Sequence, residues 1–227
     1  MDDTAFIAAL QLTDSFFPSG AVSLSHGLET FLSDQSAETD LSQLLHNYLE
    51  RKIAPCDLVA YAHAYHASAG GDAERLHQID RYLHVSLLPQ ELRQGSGRSG
   101  RGTLETLRRS VEEPLFQTFV AGVDAGRSGG HLPVCLALLH SIWRIPERRG
   151  GCMLLYTFMV NFLGAAIRLG RLGHRQAQGL LIHFRPLVGP LVEQALDKPL
   201  EEIGSFAPLA DIRAMQHAHL SVRLFSS

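Results

Sequence analysis

Apolar side chains recur along this chain at helical spacing, and the clearest case opens at Asp40. Leu41, Leu44, Leu45, Tyr48 and Leu49 follow it at i, i+3, i+4, i+7 and i+8, which places them on one face of a helix with Asp40 as its N-cap. Asp72 begins a second segment, with Leu76, Ile79, Leu83 and Leu87 sharing a face. Pro89 stops that helix and suits the first turn of the next. Helical patterns also cover Asp57 to Ala67, Leu104 to Val111, Pro133 to Trp143, Gly151 to Leu169, Arg175 to Leu196 and Pro208 to Arg223. Pro186 and Pro190 fall inside the Arg175 segment, so a kink or break is expected there. The glycine-rich stretches Gly95 to Gly102 and Gly126 to Gly130 read as the irregular or mobile places. No alternating run of β-branched residues occurs. The pattern predicts an all-α fold, a single-domain bundle of roughly eight to ten helices over residues 1–227.

Composition narrows the class without naming a chemistry. A chain of 227 residues with 45% hydrophobic and 19% charged residues is long enough for one substantial core. A net charge of -3 suits neither a nucleic-acid binder nor a polybasic membrane protein. Cys56, Cys135 and Cys152 are odd in number and widely spaced, which indicates buried thiols in a reducing compartment rather than a disulfide framework. No basic region followed by an apolar run marks a secretory signal, and the expected location is cytoplasmic. The longest apolar stretch, Cys152 to Ile167, includes Thr157 and Asn161 and is shorter than the about 20 residues a spanning helix needs. It reads as a helix buried on most faces, with Asn161 hydrogen-bonded inside. Charge is segregated: residues 1–50 hold eight acids and no Lys or Arg, whereas residues 144–192 hold seven arginines and Glu147 as the one acid. Arginine's planar fork suits pairing with carboxylates, although solvated surface explains the same bias.

Several short motifs match catalytic or metal-binding patterns in letters only. Gly95-Ser-Gly97-Arg-Ser-Gly100 has the spacing of a dinucleotide fingerprint but lacks the strand that must precede it. No Gly-Lys dipeptide occurs, so the chain has no P-loop. Gly126-Arg-Ser128-Gly-Gly130 has the letters of a nucleophile elbow, and Asp197 or Asp211 with His217 or His219 would complete the order Ser, Asp, His. The elbow needs a sheet this sequence does not encode. His63 and His66 lie on one helix face at a spacing that suits nickel or zinc, and His217 and His219 form a second pair, but neither has an obvious third ligand.

The two ends of the chain carry the most specific patterns. In the opening stretch, LQLTDSFFPSGAVSLSHGLE (residues 10–29), Pro18, Gly20 and Gly27 interrupt regular structure. Asp14 to His26 therefore reads as a shaped loop entering a helix at about Ser25. Ser19, Ser23, Ser25 and His26 supply short polar groups there, and Leu24 and Leu28 anchor it. Glu29 lies just inside the helix, where the helix dipole favours an acid. The closing stretch, MQHAHLSVRLFSS (residues 215–227), ends in an apolar pair, Leu224 and Phe225, with nothing after it to cover it.

Together with residues 156–181 and 130–134 (GHLPV), these ends make the chain resemble the UreF family of urease accessory proteins over essentially its whole length. His174 departs from the family pattern, in which glutamine is usual, and that puts any role for this side chain in doubt. The resemblance implies an all-helical protein that is not an enzyme and holds no stable cofactor, with nickel only transiting its complex. It implies a homodimer that bridges a UreD-type partner and a nickel-insertion GTPase on apo-urease and gates GTP hydrolysis. Ser19, Ser23, His26, Glu29, His217, Arg223, Leu224 and Phe225 are then the expected partner-binding residues, with Glu29 a contact to the GTPase and a flexible tail over residues 221–227 docking on the UreD-type protein. Two other readings stay open from the residues alone: a histidine-based metal-binding protein or all-α enzyme, and a helical adaptor unrelated to urease.

Overall fold

The computed structural model describes residues 1–33 and 40–226, and every regular element among them is helical. In chain order they are α1 (Asp3–Thr13), a 3-10 turn (Ala21–Ser23), α2 (Leu28–Ser33), α3 (Leu41–Tyr48), a π-helical stretch (Leu49–Leu58) and α4 (Val59–Ala69). There follow α5 (Ala73–Ser86), α6 (Gln90–Leu107), α7 (Pro114–Asp124), α8 (Leu132–Ile142), α9 (Glu147–Arg168), α10 (His174–Leu196), a 3-10 turn (Leu200–Glu202) and α11 (Pro208–His217). Asp40 and Asp72 are N-caps as expected: the Asp40 carboxylate accepts the N–H groups of Ser42 and Gln43, and that of Asp72 accepts the N–H of Arg75. Asp34 and Glu38, two of the eight N-terminal acids, lie outside the described residues.

The segments expected on either side of Pro55 are one rod, because the backbone stays helical from α3 through the π stretch into α4. Proline lacks an N–H and its ring crowds the preceding turn, which the wider π winding relieves. α4 and α8 pack along each other at the centre, α5 lies on α4, α6 on α8, and α9 and α10 form a hairpin beside them. Tyr61, Phe116, Phe119 and Phe162 are fully buried in this core. α9 is long and apolar enough to cross a membrane, but 56% of its most apolar window is buried inside the bundle. Asn161 within it is only half-buried and borders an internal cavity.

Two expectations are corrected. Gly95 to Gly102 is not irregular but lies within α6, with Gly95, Gly97 and Gly100 buried. A Cβ on Gly100 would stand 2.0 Å from the Gly130 carbonyl oxygen, so glycine here lets a helix touch the backbone before α8. Of the kink or break expected at Pro186 and Pro190, the break does not occur, since α10 stays helical past both. Gly126 does sit in a turn and Gly130 in irregular backbone, both at positive φ.

Candidate functional site

The two terminal signatures, far apart in sequence, meet. Gly27 has φ +80° and faces Ala214 of α11 so closely that a Cβ would stand 2.8 Å from its backbone nitrogen. This contact sets α2 against α11 and turns Glu29 inward. Glu29 is 8% exposed. Its Oε1 accepts the Leu224 N–H at 2.9 Å, and its Oε2 accepts the Phe225 N–H at 3.2 Å. The same Oε2 lies 2.9 Å from Nε2 of His217, which is fully buried at the end of α11. On the other side of that ring, Nδ1 lies 2.7 Å from Oε2 of Glu91, in the first turn of α6, and Glu91 Oε1 accepts from Arg223 at 2.9 Å. Burial disfavours the Glu29 carboxylate, but the Leu224 N–H, then His217 and the Phe225 N–H, outweigh it and hold the carboxyl below the usual range.

Beyond the latch the tail continues across the opening loop. The Ser226 N–H donates to the Ser23 carbonyl at 2.9 Å, and the two serine hydroxyls are 3.1 Å apart. Phe225 is buried in the main core, and the Arg168 guanidinium lies 4.5 Å from its ring centre while donating to the Val22 carbonyl. The expected uncovered apolar pair is therefore split: Phe225 packs on its own bundle, and Leu224 is 71% exposed. Within the expected tail of residues 221–227, these bonds involve Arg223, Leu224, Phe225 and Ser226, and Ser227 lies outside the described residues. Glu29, expected as a contact to a GTPase, is not at the surface, because its carboxylate is filled by the tail. Of the segregated charges, Arg168 and Arg171 reach the first fifty residues, where they donate to the carbonyls of Val22 and Leu32.

The remaining opening residues shape the floor of this region. Ser19 Oγ accepts the Ala21 N–H, and Ser23 Oγ donates to the Gly20 carbonyl. His26, at positive φ, lends its carbonyl to the Tyr48 hydroxyl and sets its ring edge-on to Phe158. Below lies a cavity of about 80 Å³ bordered by His26, Lys52, Asp57, Ser96, Thr157 and Asn161. Lys52, 2% exposed, is ion-paired with Asp211 of α11, which is also buried. Burial, with Lys52 adding to it, pushes the His26 imidazole down to about 4. Burial pushes the Asp57 carboxyl up to about 7 despite the pull of Lys52 in the other direction.

The catalytic and metal-binding patterns do not assemble. His63 Nε2 is bound to the Lys198 carbonyl at 2.8 Å, and exposed His66 faces Glu147 at 3.0 Å. His217 is enclosed by two glutamates while His219 is exposed. Among the described residues no three His, Cys, Asp or Glu side chains gather as a metal site. Ser128 does meet a histidine, but it is His77, at 2.8 Å, and the other ring nitrogen of His77 is buried against Gly122 with no carboxylate to orient it. Asp211, a candidate acid for such a triad, is committed to Lys52. The GxGxxG letters lie inside α6 with no strand before them. Sequence reasoning missed Glu91, Arg168 and Lys52. Glu91 and Arg168 look like ordinary helix-end charges, and no local signal reveals their partners.

Comparison with known proteins bears on the family. The family model for UreF matches residues 35–185. The urease accessory protein UreF of Trichodesmium erythraeum (strain IMS101) is 33% identical over 225 residues, covering 97% of this chain and 96% of the relative. Those of Actinobacillus pleuropneumoniae serotype 5b (strain L20) and Bacillus sp. (strain TB-90) are 28% and 25% identical, each across 97% of this chain and 98% of their own length. With that match along its length and an all-helical bundle, the chain belongs to the UreF family of urease accessory proteins, which serve urease maturation and are not enzymes.

Proposed function

We propose that this chain bridges a UreD-type accessory protein and the nickel-insertion GTPase on apo-urease, and that it promotes nickel incorporation by gating GTP hydrolysis. It works in the cytoplasm as a homodimer and binds no cofactor stably; nickel passes through the complex as cargo. The observation that carries this reading is the convergence of both terminal signatures on one latch. That arrangement holds the tail in a defined position with Val222 and Leu224 exposed, next to exposed Val22 of the loop. Exposed apolar side chains on an ordered strap suit a partner surface. Glu29 serves the partners through the tail it holds. Self-association is supported by α1, where Phe6, Ile7 and Leu10 are exposed while Ala5, Ala9 and Leu12 are buried. The free thiols of Cys56, Cys135 and Cys152 suit a reducing compartment.

Leu224→Asp tests the reading directly. The side chain is exposed and only the backbone N–H of Leu224 serves the latch, so the fold and the docked tail are expected to survive. Binding to the UreD-type partner is expected to weaken about tenfold or more, the scale of a hot-spot truncation. Urease and its accessory proteins are then expected to be lost from the purified complex. Unchanged co-purification and unchanged urease activation overturn it.

A further inference from the structure

Four formal charges meet where α11 ends. A carboxylate oxygen only accepts hydrogen bonds, yet one faces each ring nitrogen of His217, Glu91 at 2.7 Å and Glu29 at 2.9 Å. With both carboxylates ionised, each nitrogen must donate and the ring carries both protons. A neutral ring would set a lone pair against a carboxylate oxygen at one of these distances. With Arg223 on Glu91, the two negative and two positive charges cancel. The Leu224 and Phe225 N–H groups bond to the Glu29 carboxylate that His217 orients, so the docking of the tail depends on the same ring.

We infer that the C-terminal tail is a proton-keyed strap: the second proton on His217 locks Glu29 and Glu91 together, and its loss releases residues 218–226 and uncovers the seat of Phe225. The groups facing the ring are Glu29 from α2 and Glu91 from α6, with Arg223 of the tail behind Glu91. Arg98 of α6 and Arg168 of α9 reach the tail further on, at the Ser226 carbonyl and the Phe225 ring, and do not replace the lost charge. Removing the proton leaves the Glu29 and Glu91 carboxylates on either side of a neutral ring with Arg223, on the far side of Glu91, as the one cation, an arrangement that costs more than letting water in. The covalent chain allows that relief, because residues beyond Leu220 have no regular structure to unwind. Only the doubly protonated ring can donate to both carboxylates, so the strap is closed on the acid side and opens as rising pH removes a proton. The inference deepens the partner-binding reading as regulation of that same surface and rests on that reading for its biological consequence; the strap itself is a property of the isolated chain.

The experiment uses the whole chain without partners. Amide exchange of Leu224 and Phe225, corrected for intrinsic base catalysis, is followed from about pH 6 to about pH 9, together with nitrogen-15 resonances of labelled histidine. Docked tail with both His217 nitrogens protonated is expected at the acid end. Protection of the two amides is expected to fall about ten- to a hundredfold as the ring loses a proton, the factor carried by a lost charge-assisted hydrogen bond, while α9 stays protected. His217→Gln is expected to leave both amides unprotected throughout, with unchanged circular dichroism. Glu91→Gln removes the carboxylate that forbids a neutral ring, so it is expected to keep the tail docked and abolish the pH dependence. A docked tail with a neutral His217, or wild-type protection that does not change with pH, overturns the strap. Either result leaves the partner reading to stand or fall on Leu224→Asp; loss of that reading with a working strap shows the opposite failure.

Discussion

Asp57→Asn is the sharpest probe of the electrostatics beneath the opening loop. Asp57 borders the cavity near Lys52, and burial raises its carboxyl from an ordinary 3.8 to about 7. Between those values the unfolded chain has released the proton and the folded chain still holds it. Wild-type stability therefore declines as pH rises from about 4 to about 7, and Asp57 adds no further change above that. The displacement corresponds to about 4 kcal/mol, at ~1.4 kcal/mol for each pKa unit. Because the residue is only half-buried, screening lowers the expected effect to about 2–4 kcal/mol. Asparagine occupies nearly the same space and does not ionise. The variant is thus expected to be more stable than wild type by about that amount near pH 8 and nearly equal to it near pH 4. Urea unfolding at the two pH values measures the difference. An equal effect at both, or no gain near pH 8, refutes the assignment of a proton-retaining carboxyl at this position.

Two further substitutions test packing that positions the same region. Lys52→Met leaves Asp211 buried without its partner and is expected to cost about 3–5 kcal/mol and loosen α11, whereas adding Asp211→Leu is expected to recover most of it; urea unfolding of single and double variants checks this. Gly100→Ala is expected to destabilise by about 1–3 kcal/mol, since its methyl group meets the backbone of Gly130, His131 and Leu132. Were that glycine present for flexibility, alanine within α6 would instead stabilise by about 1 kcal/mol, so the sign seen in thermal melts decides between the two.

The local sequence determined where most helices lie and how some begin. The stripe from Leu41 to Leu49 and the caps at Asp40 and Asp72 involve residues within two turns of each other, so spacing alone reports them. The same locality made proline and glycine misleading. Whether Gly100 marks a loop or a tight helix contact depends on the carbonyl of Gly130, and whether Pro55 ends a helix depends on a π winding that the surrounding bundle holds. The terminal signatures were legible as unusual, and their resemblance to UreF pointed to the family. Their joining was not legible: Glu29 and Leu224 are 195 residues apart, and the residue that completes the latch, Glu91, carries no mark in its own neighbourhood. A glutamate just inside a helix is stabilised by the dipole wherever that helix points. Only the packing of α2, α6 and α11 turned Glu29 and Glu91 onto His217 and made two ordinary helix-end acids the hold on the tail, because burial and charge pairing are set by neighbours in space rather than in sequence.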